Sequence, residues 1–433
     1  MKAIFNLNLD NHLKIEAYLG KKFLLISFYF LAYFLLFIGY FNYIAPSWNY
    51  YNFAWNPNIY KLFESLVLIF IVVVFLPTTF KKPSDFLLHL QFLFPILPML
   101  VLFFAMDLSR SFMYFTCLSF LIIVAFSMFF CIKPVRIFKF DIKFLQIILL
   151  CFGYLVLMSI VFQGGLKYFN LNLARVYEFR AAAAANLPKV YGYINPWTAK
   201  VIFPFSLLLA VLTRKKILVL FSLLGSILMF GLTSHKGPLF YPFAVLFLYY
   251  ISRLKRVIIF FVFCYISVII ISLLDHKTGI FSGWFASLCL RRVIFVPALL
   301  NFLYFDFFSH NRLLFWSESK VTLGLFSKKF SLDTPHLIGY YYFGSEFIGA
   351  NTGWIGSGYA NAGFLGLLIY AIIIGLIFSF LNSLSKFHDK RIIVSIFTAP
   401  IFAIMLSSDL PTAILTHGTL IGLILLMLFR TKR

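Results

Sequence analysis

Long apolar runs separated by short polar punctuation dominate the chain. Within each run the apolar residues are continuous rather than alternating, and most runs are about twice the ten-residue segments of a membrane β-barrel. A helix satisfies its own backbone hydrogen bonds and needs about 20 apolar residues to cross a bilayer. The pattern therefore predicts helical spans near residues 23–45, 61–80, 86–106, 112–132, 144–163, 196–213, 217–233, 237–252, 257–274, 356–381, 392–409 and 411–429. The predicted fold class is all-α: a polytopic integral membrane protein of twelve spans. Residues 1–433 form one transmembrane domain with two enlarged connections, about 164–195 and 275–355. No A-x-A-like cleavage site follows the first span, which reads as a retained anchor.

Composition excludes a soluble fold. The chain is 62% hydrophobic and only 12% charged, with 59 Phe among its 433 residues, whereas a soluble domain carries about 25% charge. The formal charge of +23 would suggest nucleic acid in a soluble protein. Here the membrane accounts for most of it, because cytoplasmic loops collect Lys and Arg. With the N-terminus inside, every inward connection is basic. Examples are Lys81 and Lys82, then Arg136 and Lys139, then Arg253, Lys255 and Arg256, and finally Lys432 and Arg433. Both termini are then cytoplasmic. Four cysteines lie in apolar runs and only Cys289 falls in an outer loop, with no spacing for a disulfide framework or a metal.

The outer loops hold the charge that the positive-inside rule does not explain. Arg175, Arg180, Lys189, Arg291, Arg292 and Lys320 lie there, and an anionic ligand is the natural reason. Trp284 to Phe308 is apolar enough to be a further span. Counting it as one would turn the basic downstream connections outward, so it is expected to lie on the membrane surface or between spans. No internal duplication of the kind common in transporters is visible.

The chain has no P-loop, dinucleotide fingerprint, H-E-x-x-H or D-x-D pair, and no cytoplasmic domain to bind a nucleotide. No cofactor or metal is implied. An enzyme of this kind would take an activated substrate from the membrane, such as a polyprenyl diphosphate sugar, whose diphosphate calls for cations at interface depth. Arg175, Arg180, Lys236, Arg291 and Arg292 are the candidates to hold it. The competing readings are an Arg–Glu178 pair on a solvated face, a snorkelling Lys236, and an ion pair of Arg291 or Arg292 with Asp306 or Glu346. Asp306 and His310, four residues apart, would share a helix face and are the candidate base for an acceptor hydroxyl; Asp409 and His417 are weaker ones. Asn351 and Asn361 are candidates to bind sugar hydroxyls, or else mark a stretch of small residues for helix packing.

Three stretches carry a family resemblance: SHKGPLFYP from Ser234, RRVIFVPALLNFLYFDFFSHN from Arg291, and GANTGWIGSGYANAGFLG from Gly349. Together with about a dozen spans and two enlarged loops, they resemble the Wzy-type O-antigen polymerases, also called oligosaccharide repeat unit polymerases. The resemblance implies a metal-independent glycosyltransferase of the bacterial inner membrane. It would transfer a growing glycan from undecaprenyl pyrophosphate to a new lipid-linked repeat unit at the periplasmic face. Implied partners are that lipid-linked oligosaccharide, membrane lipid, a flippase and a chain-length regulator, with no nucleic acid. Some members carry R-x10-G in the loops. Here eleven residues separate Arg180 from Gly192 and no match follows Arg291, so that motif is not carried over. An O-antigen ligase would share the donor and the architecture. A flippase or transporter of the lipid-linked unit would place charges within its spans.

Overall fold

The computed structural model describes residues 2–133 and 140–431; Arg136, Lys139, Lys432 and Arg433 lie outside them. Helices occur in every stretch where the sequence predicts a span. Those long and apolar enough to cross a membrane are α1 (Tyr18–Tyr51), α3 (Pro83–Ala105), α4 (Arg110–Phe129), α5 (Ile142–Phe162), α6 (Tyr191–Leu212), α7 (Lys216–Thr233), α9 (Val257–Thr278), α10 (Ala286–His310) and α11 (Trp354–Leu384). Among the described residues these are nine, or ten if the bent pair Leu410–Thr416 and Thr419–Met427 (α13) counts as one span. Three further helices are shorter: α2 (Ile59–Phe75), α8 (Gly237–Ile251) and α12 (Lys390–Leu406). The protein is thus an all-helical, multi-pass membrane protein.

Helix α3 is the axis of the bundle, with 94% of its apolar window buried. Its middle is a π-helical turn, Phe92–Ile96, carrying Pro95. In that register the carbonyl of Leu93 looks for the N–H of residue 98, which is Pro98 and has none. The Tyr265 hydroxyl of α9 donates to it instead, at 2.9 Å. His89, also on α3, is held between the Tyr29 hydroxyl (2.7 Å) and the Pro77 carbonyl (2.8 Å). These two groups show how a buried polar atom is answered in a membrane interior.

The ends of α1, α3 and α9 define one side of the bundle, called here the loop side. Asn56 and Asn58 donate from the α1–α2 connection to the last carbonyls of α3, at 2.9 Å each, and the Tyr43 ring stacks on His276 at the end of α9. The two long connections, 163–190 and 311–353, emerge on this side. The second is much shorter than the predicted 275–355, because α9 runs on to Thr278 and α10 occupies 286–310.

Helix α10 has the length and composition of a span, yet contacts near both its ends tie it to the loop side. Asp275 accepts from the N–H groups of Phe281, Gly283 and Ala286, fixing the tight turn that leads into it. Arg291 lies over Trp48 at the loop-side end of α1. Fifteen residues on, Asp306 accepts from Tyr342, whose carbonyl in turn accepts from Asn52. Phe305 stacks on Phe112 in the first turn of α4. The helix is not a surface one, since Pro297 to Tyr304 are all buried. It is a buried beam whose middle packs on the π turn of α3 and whose ends contact loop-side segments.

Asn301 fastens this beam to α11. Its Oδ1 accepts from Thr352 Oγ1 and from the Gly356 N–H, both at 2.8 Å, while its Nδ2 donates to the Pro297 carbonyl at 2.9 Å. The glycine-rich stretch from Gly349, unfavourable for an isolated helix, is helical from Trp354 and breaks at Ala362–Gly363, where Gly363 takes φ +59°. The carbonyls freed at the break, Ala360 and Asn361, accept from Leu314 and Phe315 at 2.9 Å. Past the break, Gly366 lies so close that a Cβ there would collide with the Gly358 carbonyl oxygen.

Two outcomes test this arrangement. Cysteines placed at Ile280 and Leu325, flanking α10, should both react with a membrane-impermeant maleimide from the same side of sealed vesicles. Labelling from opposite sides would make α10 a true span. Gly366→Ala should lower stability in detergent by about 1–3 kcal/mol, the usual cost of overpacking, measured as a shift in thermal aggregation. Gly192→Ala, with open space around it, should leave the melt unchanged.

Candidate functional site

Two cavities open near the loop side and meet at Lys200 and Tyr241, which line both. The first, of about 610 Å³, is a groove lined mainly by apolar side chains such as Phe94, Leu248, Phe261, Val296 and Phe402, with Arg292, Lys200 and Asn351 among its polar residues. The second, of about 690 Å³, is a vestibule lined by Arg180, Lys189, Lys200 and Lys320 together with His235 and His417. Neither cavity has an Asp or Glu in its lining. Arg292 has no ion-pair partner among the described residues, and neither it nor Arg291 pairs with Asp306 or Glu346 there.

Each cation arrives by a different route. Lys200 sits in a π-helical turn, Thr198–Ile202, of α6. Such turns widen a helix and re-aim side chains, often at functional sites. Its ammonium donates to His417 Nδ1 at 2.7 Å. A lysine only donates, so this imidazole is neutral and keeps its proton on Nε2. Arg292 projects into the groove from α10. Arg180 comes from the helix Val176–Ala185. Lys320 reaches in from the second long connection and covers the Tyr193 ring at 4.7 Å, tying that connection to the start of α6.

The predicted site residues divide accordingly. Arg180 and Arg292 line the cationic cavities. Arg175 does not: it pairs with Glu178 at 2.9 Å, both side chains exposed, as the solvated-face reading expects. Lys236 rests over the exposed Tyr177 ring, 5.5 Å from its centroid, and lines neither cavity. Arg291, one residue from Arg292, points the other way, 3.6 Å above Trp48 and bonded to Ser287. Asp306 is engaged by the Tyr342 hydroxyl, and His310 by the Asp306 carbonyl and the Ser309 hydroxyl; both lie outside the two cavities. Burial and the Asp306 carboxylate together push the Tyr342 phenol far above its ordinary pKa, so it stays a donor to that carboxylate. Asn351 lines the groove. Asn361 lies outside both and spends its amide on the protein, donating to the Ser357 carbonyl and Tyr370 and accepting from the Trp316 N–H.

Sequence reading passed over Lys200, and it counted Lys320 among the outer-loop cations without assigning it to the site. The signal for Lys200 was present: it is the one charge in INPWTAKVIFPF, and an ionisable residue inside an apolar segment is by default functional. Lys320 carried no such mark, because only folding brings its loop to Tyr193.

Fold and site together define a multi-pass membrane protein with an acid-free cationic vestibule opening onto an apolar groove. No family model, curated protein or solved structure matches the chain.

An acid-free cluster of this kind should bind a small polyanion. Inorganic pyrophosphate at about ten times its Kd should raise the melting temperature of the detergent-solubilised protein by about 1–2 °C over sodium chloride of equal ionic strength. Lys200→Met or Arg180→Ala should remove most of that shift and Arg175→Ala almost none. Equal shifts in all four proteins would mean that the anion binds elsewhere.

Proposed function

We propose that this protein is a Wzy-type polymerase that joins undecaprenyl-pyrophosphate-linked oligosaccharide repeat units into O-antigen or capsular polysaccharide. It works at the periplasmic face of a bacterial inner membrane, with both termini cytoplasmic and the loop side outward. One observation carries the reading: Arg180, Lys189, Lys200 and Lys320, with no ion pair among the described residues, line a wide polar vestibule that meets, at Lys200, an apolar groove lined by Arg292. A polyprenyl diphosphate sugar has that same division, a long hydrocarbon tail, two phosphates and a glycan. The tail fits the groove, the diphosphate the junction at Lys200 and Arg292, and the glycan the vestibule.

The chemistry follows from where charge develops. As the bond from the anomeric carbon to the diphosphate breaks, negative charge grows on the leaving phosphate. Guanidinium and ammonium groups already in place stabilise that charge without reorganisation. The reaction is written as metal-independent, and the twelve helices are its scaffold in the bilayer. A flippase delivering repeat units and a chain-length regulator in the same membrane are its proposed partners. The short connections opposite the loop side, with Lys81, Arg253, Lys255, Lys390 and Arg391 lining one cleft, support their cytoplasmic placement.

Gel profiles of surface polysaccharide test the reading. A strain lacking the protein should lose its ladder and keep a single repeat unit on the lipid A core. Wild type should restore the ladder. Arg292→Ala and Lys200→Met should fail to restore it at normal protein level, each with a loss of about 10²–10³-fold in rate. Core without any repeat unit would indicate a ligase or a flippase, and an unchanged ladder would exclude all three.

A further inference from the structure

A third cavity, small at about 180 Å³, adjoins the groove, with Asn351 in the lining of both. Its character is opposite to that of its neighbours, since two carboxylates line it, Glu318 and Asp409. Asp409 is fixed: its Oδ1 accepts from the Tyr370 hydroxyl at 2.7 Å and from Asn361 Nδ2 at 3.3 Å. Burial, with the Glu318 charge adding to it, holds the Asp409 carboxyl above its ordinary pKa. Glu318 is only half engaged. Its Oε2 accepts from the Thr334 N–H at 3.0 Å, but its Oε1 is buried without any partner.

Paired acids alone do not make a site. A second observation points to a ligand here. Thr334, 5% exposed and lining the same cavity, has a hydroxyl with no hydrogen-bond partner. A buried donor-acceptor and a buried carboxylate oxygen left unpaired in one small cavity each cost free energy, and one bound hydroxyl would satisfy both. Such a hydroxyl would lie next to Asn351, which also lines the groove that takes the lipid-borne donor in the reading above, on which this inference rests.

We infer that the cavity between Glu318, Thr334 and Asp409 receives the hydroxyl of the acceptor sugar, and that Glu318 Oε1 takes its proton. The acceptor oxygen forms a bond to the anomeric carbon of the donor sugar. The bond from that carbon to the diphosphate oxygen breaks, and its electron pair leaves with the polyprenyl diphosphate, held by Arg292 and Lys200. The proton passes from the acceptor hydroxyl to Glu318. Thr334 orients the hydroxyl, and Asp409 holds a neighbouring hydroxyl of the same sugar. Glu318 and Asp409 thus take the role that sequence spacing assigned to Asp306 and His310. The arrangement also separates the substrates by charge: a polyanionic donor enters the cationic side and a neutral sugar edge enters the acidic one.

The test uses the full-length protein in cells and in detergent. Glu318→Gln should elute as folded protein and keep the pyrophosphate-induced rise in melting temperature, yet yield only core capped with one repeat unit, a loss of about 10²-fold or more. Thr334→Val should shorten the ladder while also remaining folded. A ladder of normal length from Glu318→Gln, in a strain where Arg292→Ala abolishes it, would overturn the acceptor site and leave the polymerase reading standing. A ladder unchanged by deletion of the protein would remove that reading and this inference with it. Should Glu318→Gln fail to fold, Thr334→Val and Glu318→Asp decide: a normal ladder from both overturns the proposal, and a shortened one from either upholds it.

Discussion

A cation held next to hydrocarbon must be answered by something, because desolvation disfavours it and no water is at hand to compensate. Elsewhere in the protein the answer comes from within. Lys61 has Asp107, Arg110 has Glu64, and Arg391 has Asp389. Around Lys200 no acid is supplied, and a neutral imidazole is its only side-chain partner. Four basic side chains line the vestibule there, from α6 and both long connections, so the chain's longest-range folding gathers like charges in one place. That arrangement costs stability in the empty protein, and the cost is recovered when a polyanion supplies the missing countercharge.

The same side of the bundle also gathers its broken helices. The π turns Thr198–Ile202 of α6 and Ala286–Phe295 of α10 widen those helices, and the kink of α11 leaves backbone carbonyls for another segment to satisfy. Helix α3 shows the rule in isolation, with Tyr265 replacing a hydrogen bond that Pro98 cannot make. At α11 the 311–353 connection does the work, its Leu314 and Phe315 N–H groups capping Ala360 and Asn361. The loop is therefore part of the helix it follows in space. Through Lys320 and Glu318 it contributes to both the vestibule and the small acidic cavity.

Periodicity and length made the helices legible, because a continuous apolar run allows few other solutions in a bilayer. The helix α10 was legible too, as the apolar run from Trp284 to Phe308 interrupted by Arg291 and Arg292. Which arginine would serve the cavity was not. Consecutive residues on a helix face about 100° apart, and only the position of Trp48 decides that Arg291 faces away. Asp306 and His310 share a face as their spacing predicts, but that face looks toward Tyr342 and solvent. Asp409 and Glu318 are 91 positions apart in number, and no local pattern marks them as neighbours. The glycines from Gly349 signalled close approach correctly, while hiding that the approach is of the chain to itself, Gly358 against Gly366.

The beam-like α10 touches every part of this arrangement. Arg292 on one stretch of it faces the groove, and Asn301, nine residues on, grips Thr352 and Gly356 beside the acidic cavity. Both residues ride on one continuous helix, so the spacing between groove and cavity is set along its axis. Under the proposed function, that one helix is the ruler between the lipid-borne donor and the pocket that receives the acceptor hydroxyl.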